Sequence, residues 1–403
     1  MSKDIIVHCE DFHQCLIPFL SLRECIQFLL CCKALRKVLF PMLIYYELPQ
    51  LWAEQYAFYP QVTKLGDVYD LSKLPPALTS LSFARYFKQD LNSILLPSTL
   101  TSLTFGEWFD ESVDLLPKSL MSLTFGDSFN QSVDSLPSTL ISLIFGHGFS
   151  RSVKSLPNAL LNLTFGTRFN QAVDSLPNTL TSLTFGNWFN QSVNLLPNSL
   201  TSLTFGHCFS RHVDLLPSAL ISVTFGHYFN QLVDCLPHAL TTITFGHCFN
   251  QSVNLLPSAL TSVTFGHNFN QPVDCLPHAL TTITFGYWFN QSVDSLTNNL
   301  TALTFGECFN ESVDWLPTAL ISLKFGDHFN QPVNSLPNTL TSLTFGRCFN
   351  QPVNLLPPAL TSLAFGRCFN QSLDLLPATL THFSKDDEKH NVVFHAKKRK
   401  IEN

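Results

Sequence analysis

Residues 100–119 read LTSLTFGEWFDESVDLLPKS, and residues 120–139 read LMSLTFGDSFNQSVDSLPST. The two segments align without a gap, and the same unit of 20 residues continues almost to the end of the chain. Glycine keeps the register: it recurs from Gly106, Gly126 and Gly146 to Gly366, fourteen times at a spacing of 20. Only Gly66 and Gly148 fall outside that series. Two phenylalanines flank each in-register glycine, as Phe105 and Phe109 do, and a proline follows, as at Pro117, Pro137 and Pro157. Thr297 is the one exception to the proline. An earlier unit, two residues longer, runs through Leu81, Phe83 and Phe87 to Pro97. One unit of this size cannot bury its own apolar face, whereas a stack of them can, so the fixed period predicts a stacked array.

The unit can be read column by column. Leu103 and Phe105 are two residues apart and share one face of a strand, which places Ser102 and Thr104 on the other. Gly106 ends the strand and predicts a backbone turn closed to residues with a Cβ. Phe109, Val113, Leu116 and Leu120 are the remaining apolar columns. Their segment is too short and too proline-rich for a full helix, so an extended or single-turn return path is expected. Pro117 fixes φ and removes a donor where no strand partner is needed. Asparagine follows the second phenylalanine in eleven units, among them Asn130, Asn170, Asn190 and Asn370. Stacked asparagines offer both donors and acceptors to backbone groups of the turn, which is a structural task.

The whole unit resembles FNIP repeats, a family of social amoebae and of giant viruses that infect amoebae. The family's Phe-Asn-Ile-Pro core is represented by Phe269-Asn270-Gln271-Pro272 and Phe349-Asn350-Gln351-Pro352, with Ser at the fourth place in most units. The Leu-x-x-Leu-x-Phe stretch is similar to the strand of leucine-rich repeats. The resemblance covers about residues 74–383. It implies a mainly β fold: a curved parallel β-solenoid of about 15 leucine-rich-repeat-like units, preceded by a small α-helical domain. The expected organisation is a helical domain at 1–48, a linker or cap at 49–73, the solenoid at 74–383 and a charged, disordered tail at 384–403. In the linker, Trp52, Tyr56 and Tyr59 are expected to pack on the first units.

Composition narrows the class. The 403 residues include 37 Phe and 24 Pro but only 13% charged residues, so many rings must be buried. A net charge of −6 points away from nucleic acid as a partner. The 12 cysteines form no Cys-x-x-Cys pair, which suits free thiols in a reducing compartment. No apolar run approaches the roughly 20 residues needed to span a bilayer. No membrane partner and a cytoplasmic location are therefore expected, the host cytoplasm if the chain is viral. The run Lys397-Lys398-Arg399-Lys400 would act as a nuclear import signal or form part of a solvated tail.

Residues 19–35 are apolar at helical spacing, with Leu22, Cys25, Ile26 and Leu29 on one face and Ser21 as N-cap. The segment resembles an F-box, the helical module that docks a protein to the Skp1 adaptor of a ubiquitin ligase. Leu20, Leu22, Cys32, Lys33 and Leu35 match its pattern. That resemblance implies a Skp1-like adaptor as partner and an unidentified protein substrate on the solenoid. The alternative is a stand-alone interaction or structural protein whose first helices only cap the exposed first rung.

Variation is concentrated in the two positions after each glycine. The first column includes His207, His227, His247, His267, Arg347 and Arg367; the second includes Trp108, Arg168, Trp188, Tyr228 and Trp288. Trp, Tyr and Arg are favoured at binding hot spots, so this edge is the candidate partner surface. Neutral drift at exposed sites is the competing explanation. Four histidines one per unit would lie about 4.8 Å apart, too close for all to be protonated without cost. His207, Cys208, His247 and Cys248 contain metal-ligating types, as do Cys235–His238 and Cys275–His278. The last two pairs are explained by duplication, because Val233–Gly246 recurs unchanged at Val273–Gly286. No metal or other cofactor is assigned. The column of Asp114 and its equivalents has no partnered base, and no loop cradles a phosphate, so no enzyme is expected. The sequence reads as a protein-binding scaffold, the F-box resemblance making it a substrate-recognition subunit of a ubiquitin ligase.

Overall fold

The computed structural model describes residues 48–49, 64–68, 71, 74–91, 95–387, 390–391 and 394–395. The chain divides into two compact units, Met1–Arg151 with Ser155–Leu160, and Ser152–Lys154 with Leu161–Asn403. Both are parallel β-solenoids with one short strand per turn of about 20 residues.

The first unit holds β1 (Leu48–Pro49), β2 (Lys64–Val68), β3 (Ser80–Phe83), β4 (Ser102–Thr104), β5 (Ser122–Thr124) and β6 (Ser142–Ile144). Successive strands pair in parallel, and from β3 onward the register is regular, Leu81 facing Leu103 and Leu103 facing Leu123. Between β2 and β3 the register slips, and Asp67 there has φ of 49°. Aspartate is among the non-glycine residues that enter this left-handed region most readily.

The second unit begins with β7 (Asn162–Thr164) and β8 (Ser182–Thr184). The strands β9 to β16 follow every 20 residues, from Ser202–Thr204 to Ser342–Thr344, and β17 is Ser362–Phe365. β18 (His382–Asp387) pairs in parallel with β17 and runs four residues beyond the boundary at 383. Two short segments, β19 (His390–Asn391) and β20 (Phe394–His395), pair antiparallel with β18. Counting from β3, four repeat strands lie in the first unit and twelve in the second. Among the described residues no α-helix occurs. The expected helix at 19–35, the residues Trp52, Tyr56 and Tyr59, and the basic run at 397–400 lie outside them.

Each rung follows the same path. The strand's middle residue is buried and its neighbours half-exposed, as in Ser202-Leu203-Thr204. Phe209 N–H donates to Gly206 C=O at 3.3 Å, closing the turn after the strand. Leu220 N–H donates to Pro217 C=O at 3.2 Å, closing the turn before the next one. Between them the chain makes a third turn at Asp214–Leu215, and Val213 and Leu216 on either side of it point inward. Proline needs no donor at Pro217 because that residue's role in the turn is to accept. Where Thr297 replaces it, Leu300 N–H still reaches Thr297 C=O at 3.2 Å, and the threonine hydroxyl donates to His278 C=O at 2.9 Å.

Six columns make the core: Leu103, Phe105, Phe109, Val113, Leu116, Leu120 and their equivalents. The two phenylalanines of a rung stack on each other, at 3.8 Å for Phe245 and Phe249. Each also stacks on its counterpart in the next rung, at 5.7 Å for Phe245–Phe265 and 6.0 Å for Phe249–Phe269. Burying one such ring stabilises by about 1.5–3 kcal/mol relative to exposure, and these contacts pass between adjacent rungs.

The glycine column has a different cause from the one its sequence position suggests. No glycine among the described residues has positive φ. A Cβ on Gly246 would instead fall inside contact distance of the carbonyl oxygen of Gly226, one rung earlier. The requirement is close approach between rungs, not a special backbone angle. The asparagine column does the stacking job expected of it. Asn270 N–H donates to Oδ1 of Asn250 and Asn290 N–H to Oδ1 of Asn270, each at 2.9 Å. Oδ1 of Asn270 also accepts from Gln291 Nε2 at 3.1 Å.

Candidate functional site

The turn after each strand has two corner residues, such as His227 and Tyr228. They lie between a glycine packed on the rung before and a buried phenylalanine. Their side chains are the ones this turn leaves outside. Their backbone is locked to the neighbouring rungs. Tyr228 N–H donates to His207 C=O at 3.0 Å, Cys248 N–H to His227 C=O at 2.8 Å and Trp288 N–H to His267 C=O at 2.9 Å. The corners therefore stay in register, and equivalent side chains stand side by side on a rigid edge.

In the second unit the first corner column becomes a stack of rings. His207 and His227 lie 4.3 Å apart, His227 and His247 4.4 Å, His247 and His267 4.2 Å, and Tyr287 continues the stack 4.7 Å from His267. The spacing is slightly below the roughly 4.8 Å of neighbouring strands, and the histidine rings are near parallel, 9–18° apart. Tyr228 meets His207 and His227 edge-on, at 4.9 and 4.8 Å. Trp288 sits edge-on to His267 at 6.2 Å. Burial and then the neighbouring His247, His207 and His267 hold the His227 imidazole below its ordinary pKa, which favours the neutral ring.

The second corner column carries the large exposed rings. Trp188, Tyr228 and Trp288 are each about half exposed, at 53%, 51% and 52%. The Arg168 guanidinium lies 5.8 Å over the Trp188 ring. Arg347 and Arg367 are exposed farther along, and Arg347 N–H donates to Oδ1 of Asp327 at 3.0 Å. Beside this edge a groove is lined by Tyr287, Thr304, Glu307, Lys324, Asp327 and Thr344.

The first unit has its own cluster around Trp108. Lys88 lies 5.2 Å over its ring and Tyr86 6.2 Å away. Arg85 pairs with Glu107 at 2.6 Å, and that carboxylate pushes the Arg85 pKa up.

The structure thus brings His207, His227 and Tyr228 into mutual contact, pairs Arg168 with Trp188, and leaves Trp108, Trp288, Arg347 and Arg367 spread along the edges. It regroups the metal-ligating residues. His207 and His247 are two rungs apart, with His227 between them, while His227, His247 and Cys248 converge. Leu20, Leu22, Cys32, Lys33 and Leu35 lie outside the described residues.

One exposed column escaped the sequence reading. Leu195, Leu215, Leu255, Leu355 and Leu375 are more than half exposed, and Trp315 is 74% exposed. All but Leu375 precede a core leucine, as Leu215 precedes Leu216. The signal was the Leu-Leu-Pro triplet: two successive residues of an extended turn cannot both face the core. In the Asp114-type column, the carboxylates of Asp114, Asp134, Asp314 and Asp374 accept from the serine two residues earlier, at 2.8 Å for Ser112 Oγ.

The FNIP Repeat family matches residues 71–107, 112–148, 150–188, 169–208, 212–248, 249–288 and 312–348. Among solved structures, CroV588, described as a novel circular LRR protein, is 38% identical with a TM-score of 0.70. The match covers 81% of this chain and 60% of that one, so this chain spans less than two thirds of its relative's length. YopM from Yersinia enterocolitica WA-314 matches at 18% identity and a TM-score of 0.40, over 79% of this chain and 89% of that one. An internalin (inlF) from Listeria monocytogenes matches at 15% and 0.42, over 73% and 82%. No curated protein sequence matches. No helix among the described residues is long and apolar enough to cross a membrane.

Proposed function

The chain belongs to the FNIP repeat family, and on that premise we propose that it holds a protein partner on the corner edge beside its glycine turns. The observation that carries this reading is the edge of the second unit. Trp188, Tyr228 and Trp288 stand half-exposed on a backbone that hydrogen bonds fix from rung to rung. Large rings with little freedom left to lose are what a binding surface needs. The adjacent groove adds Lys324, Glu307 and Asp327, charges suited to selecting a polar rim. No catalytic step belongs to this reading.

The finer reading is a substrate-recognition subunit of a Skp1-type ubiquitin ligase, the partner on the edge being the substrate. It rests on the F-box resemblance of Leu20, Leu22, Cys32, Lys33 and Leu35. The two layers separate in one experiment. Full-length protein should bind a purified Skp1-like adaptor saturably, and Leu20→Asp with Leu22→Asp should abolish that binding. No adaptor binding by wild type, where a control F-box protein binds, removes the ligase reading and leaves a stand-alone scaffold. Cross-linking in cells should give a partner that Trp188→Ser with Trp288→Ser loses and Leu355→Ser keeps. Equal recovery with both variants overturns the corner edge as the binding surface.

A further inference from the structure

We infer that His227, His247 and Cys248 form a zinc site on the corner edge of the second unit. The candidate ligand atoms of the three residues all lie within 4.8 Å of one another. Cys248 Sγ is 3.9 Å from Nδ1 of His247, and the His227 and His247 rings face each other at 4.4 Å. The backbone that carries them is held by Cys248 N–H on His227 C=O and Tyr228 N–H on His207 C=O.

The neighbours explain why the cluster comprises these three. In the second corner column Tyr228 stands between Cys208 and Cys248, its ring against His207 and His227. It walls off the cluster on the Cys208 side. At the other end Nδ1 of His267 is within 3.0 Å of the amide oxygen Oδ1 of Asn268, whereas the equivalent neighbour of His247 Nδ1 is the thiol of Cys248. All three ligands are half-buried, so they are accessible without being loose.

The donor set selects the metal. Two imidazoles and a thiol, with no carboxylate or carbonyl oxygen, do not suit calcium or magnesium, which take oxygen ligands. They suit a borderline-soft ion, and zinc takes such ligands at about 2.0–2.1 Å from nitrogen and about 2.3 Å from sulfur. A tetrahedral ion at those lengths needs two nitrogens and one sulfur about 3.3–3.6 Å apart. The side chains must draw in by about an ångström, within reach of side-chain rotations at a half-exposed corner. The thiol proton leaves to solvent as the thiolate binds. Three protein ligands leave a fourth position for water or for a group from a partner.

The test uses full-length protein stripped with chelator and kept reduced, with Zn²⁺ alone as ligand. Calorimetric titration should show a zinc equivalent that His247→Ala and Cys248→Ser each weaken by at least about tenfold. The substitutions sit outside the core columns, and circular dichroism should be unchanged. A second readout needs no variant. Alkylation followed residue by residue should show Zn²⁺ protecting Cys248 while the exposed Cys235, Cys275 and Cys348 react at an unchanged rate. Cys248 alkylated equally fast with and without Zn²⁺ overturns the site. So does zinc binding that neither substitution weakens, which would place the metal on other cysteines and histidines of the chain.

Discussion

At Gly246 the space for a single methyl group is taken by the carbonyl oxygen of Gly226. Replacing glycine by alanine usually gains about 0.4–1 kcal/mol by restricting the unfolded chain. Here the added carbon must push two rungs apart, and such overpacking costs about 1–3 kcal/mol. The clash is with backbone, which cannot swing aside as a side chain would, so it wins. Gly246→Ala should lower the denaturation midpoint, and a variant as stable as wild type would contradict the close-approach explanation. The need for glycine at this place was legible from its recurrence. Its reason was not, because the colliding atom is 20 residues away and belongs to no local turn pattern. The same holds for His227, His247 and Cys248: the residue types were visible, but only stacking decides which rungs supply neighbours.

The strand and its three turns form the repeating element, and asparagine ties successive copies together. Asn270→Ala removes the Oδ1 that accepts from Asn290 N–H and Gln291 Nε2. Leaving those donors without a partner should cost about 1–2 kcal/mol, toward the lower end because the site is half-buried. Asn270→Asp keeps the acceptor and should lose less than half as much in the same urea titration. The chain already uses this substitute, since Asn130 N–H donates to Oδ1 of Asp110 at 2.8 Å. Equal losses in the two variants would mean that the amide nitrogen, not Oδ1, does the work. At this scale the sequence was a good guide. Alternation placed Leu103 and Phe105 inside and Ser102 and Thr104 outside, and the proline spacing excluded a return helix. It did not separate Leu215 from Leu216, because an irregular turn has no period from which to read direction.

For the molecule as a whole, stability is carried by contacts between adjacent rungs, and each rung sees only its neighbours. Removing residues 240–259 joins Ala239 to Leu260 and restores every column after the cut. That protein should keep its β spectrum and a cooperative melt. Removing residues 240–249 alone shifts every later column by half a unit against the strands before it, setting Phe265 and Phe269 in line with the exposed Cys235 and Ala239. Its melt should broaden or vanish. If both deletions behave alike, the in-register stack is not what holds the second unit together. The amino-acid sequence by itself determined the period, the inward columns and the solenoid class, because hydrophobic alternation and a 20-residue repeat are properties of single units and their order. The tertiary structure alone decided why glycine is required and which corner side chains meet. Those are relations between atoms of different rungs, set by how closely the rungs stack.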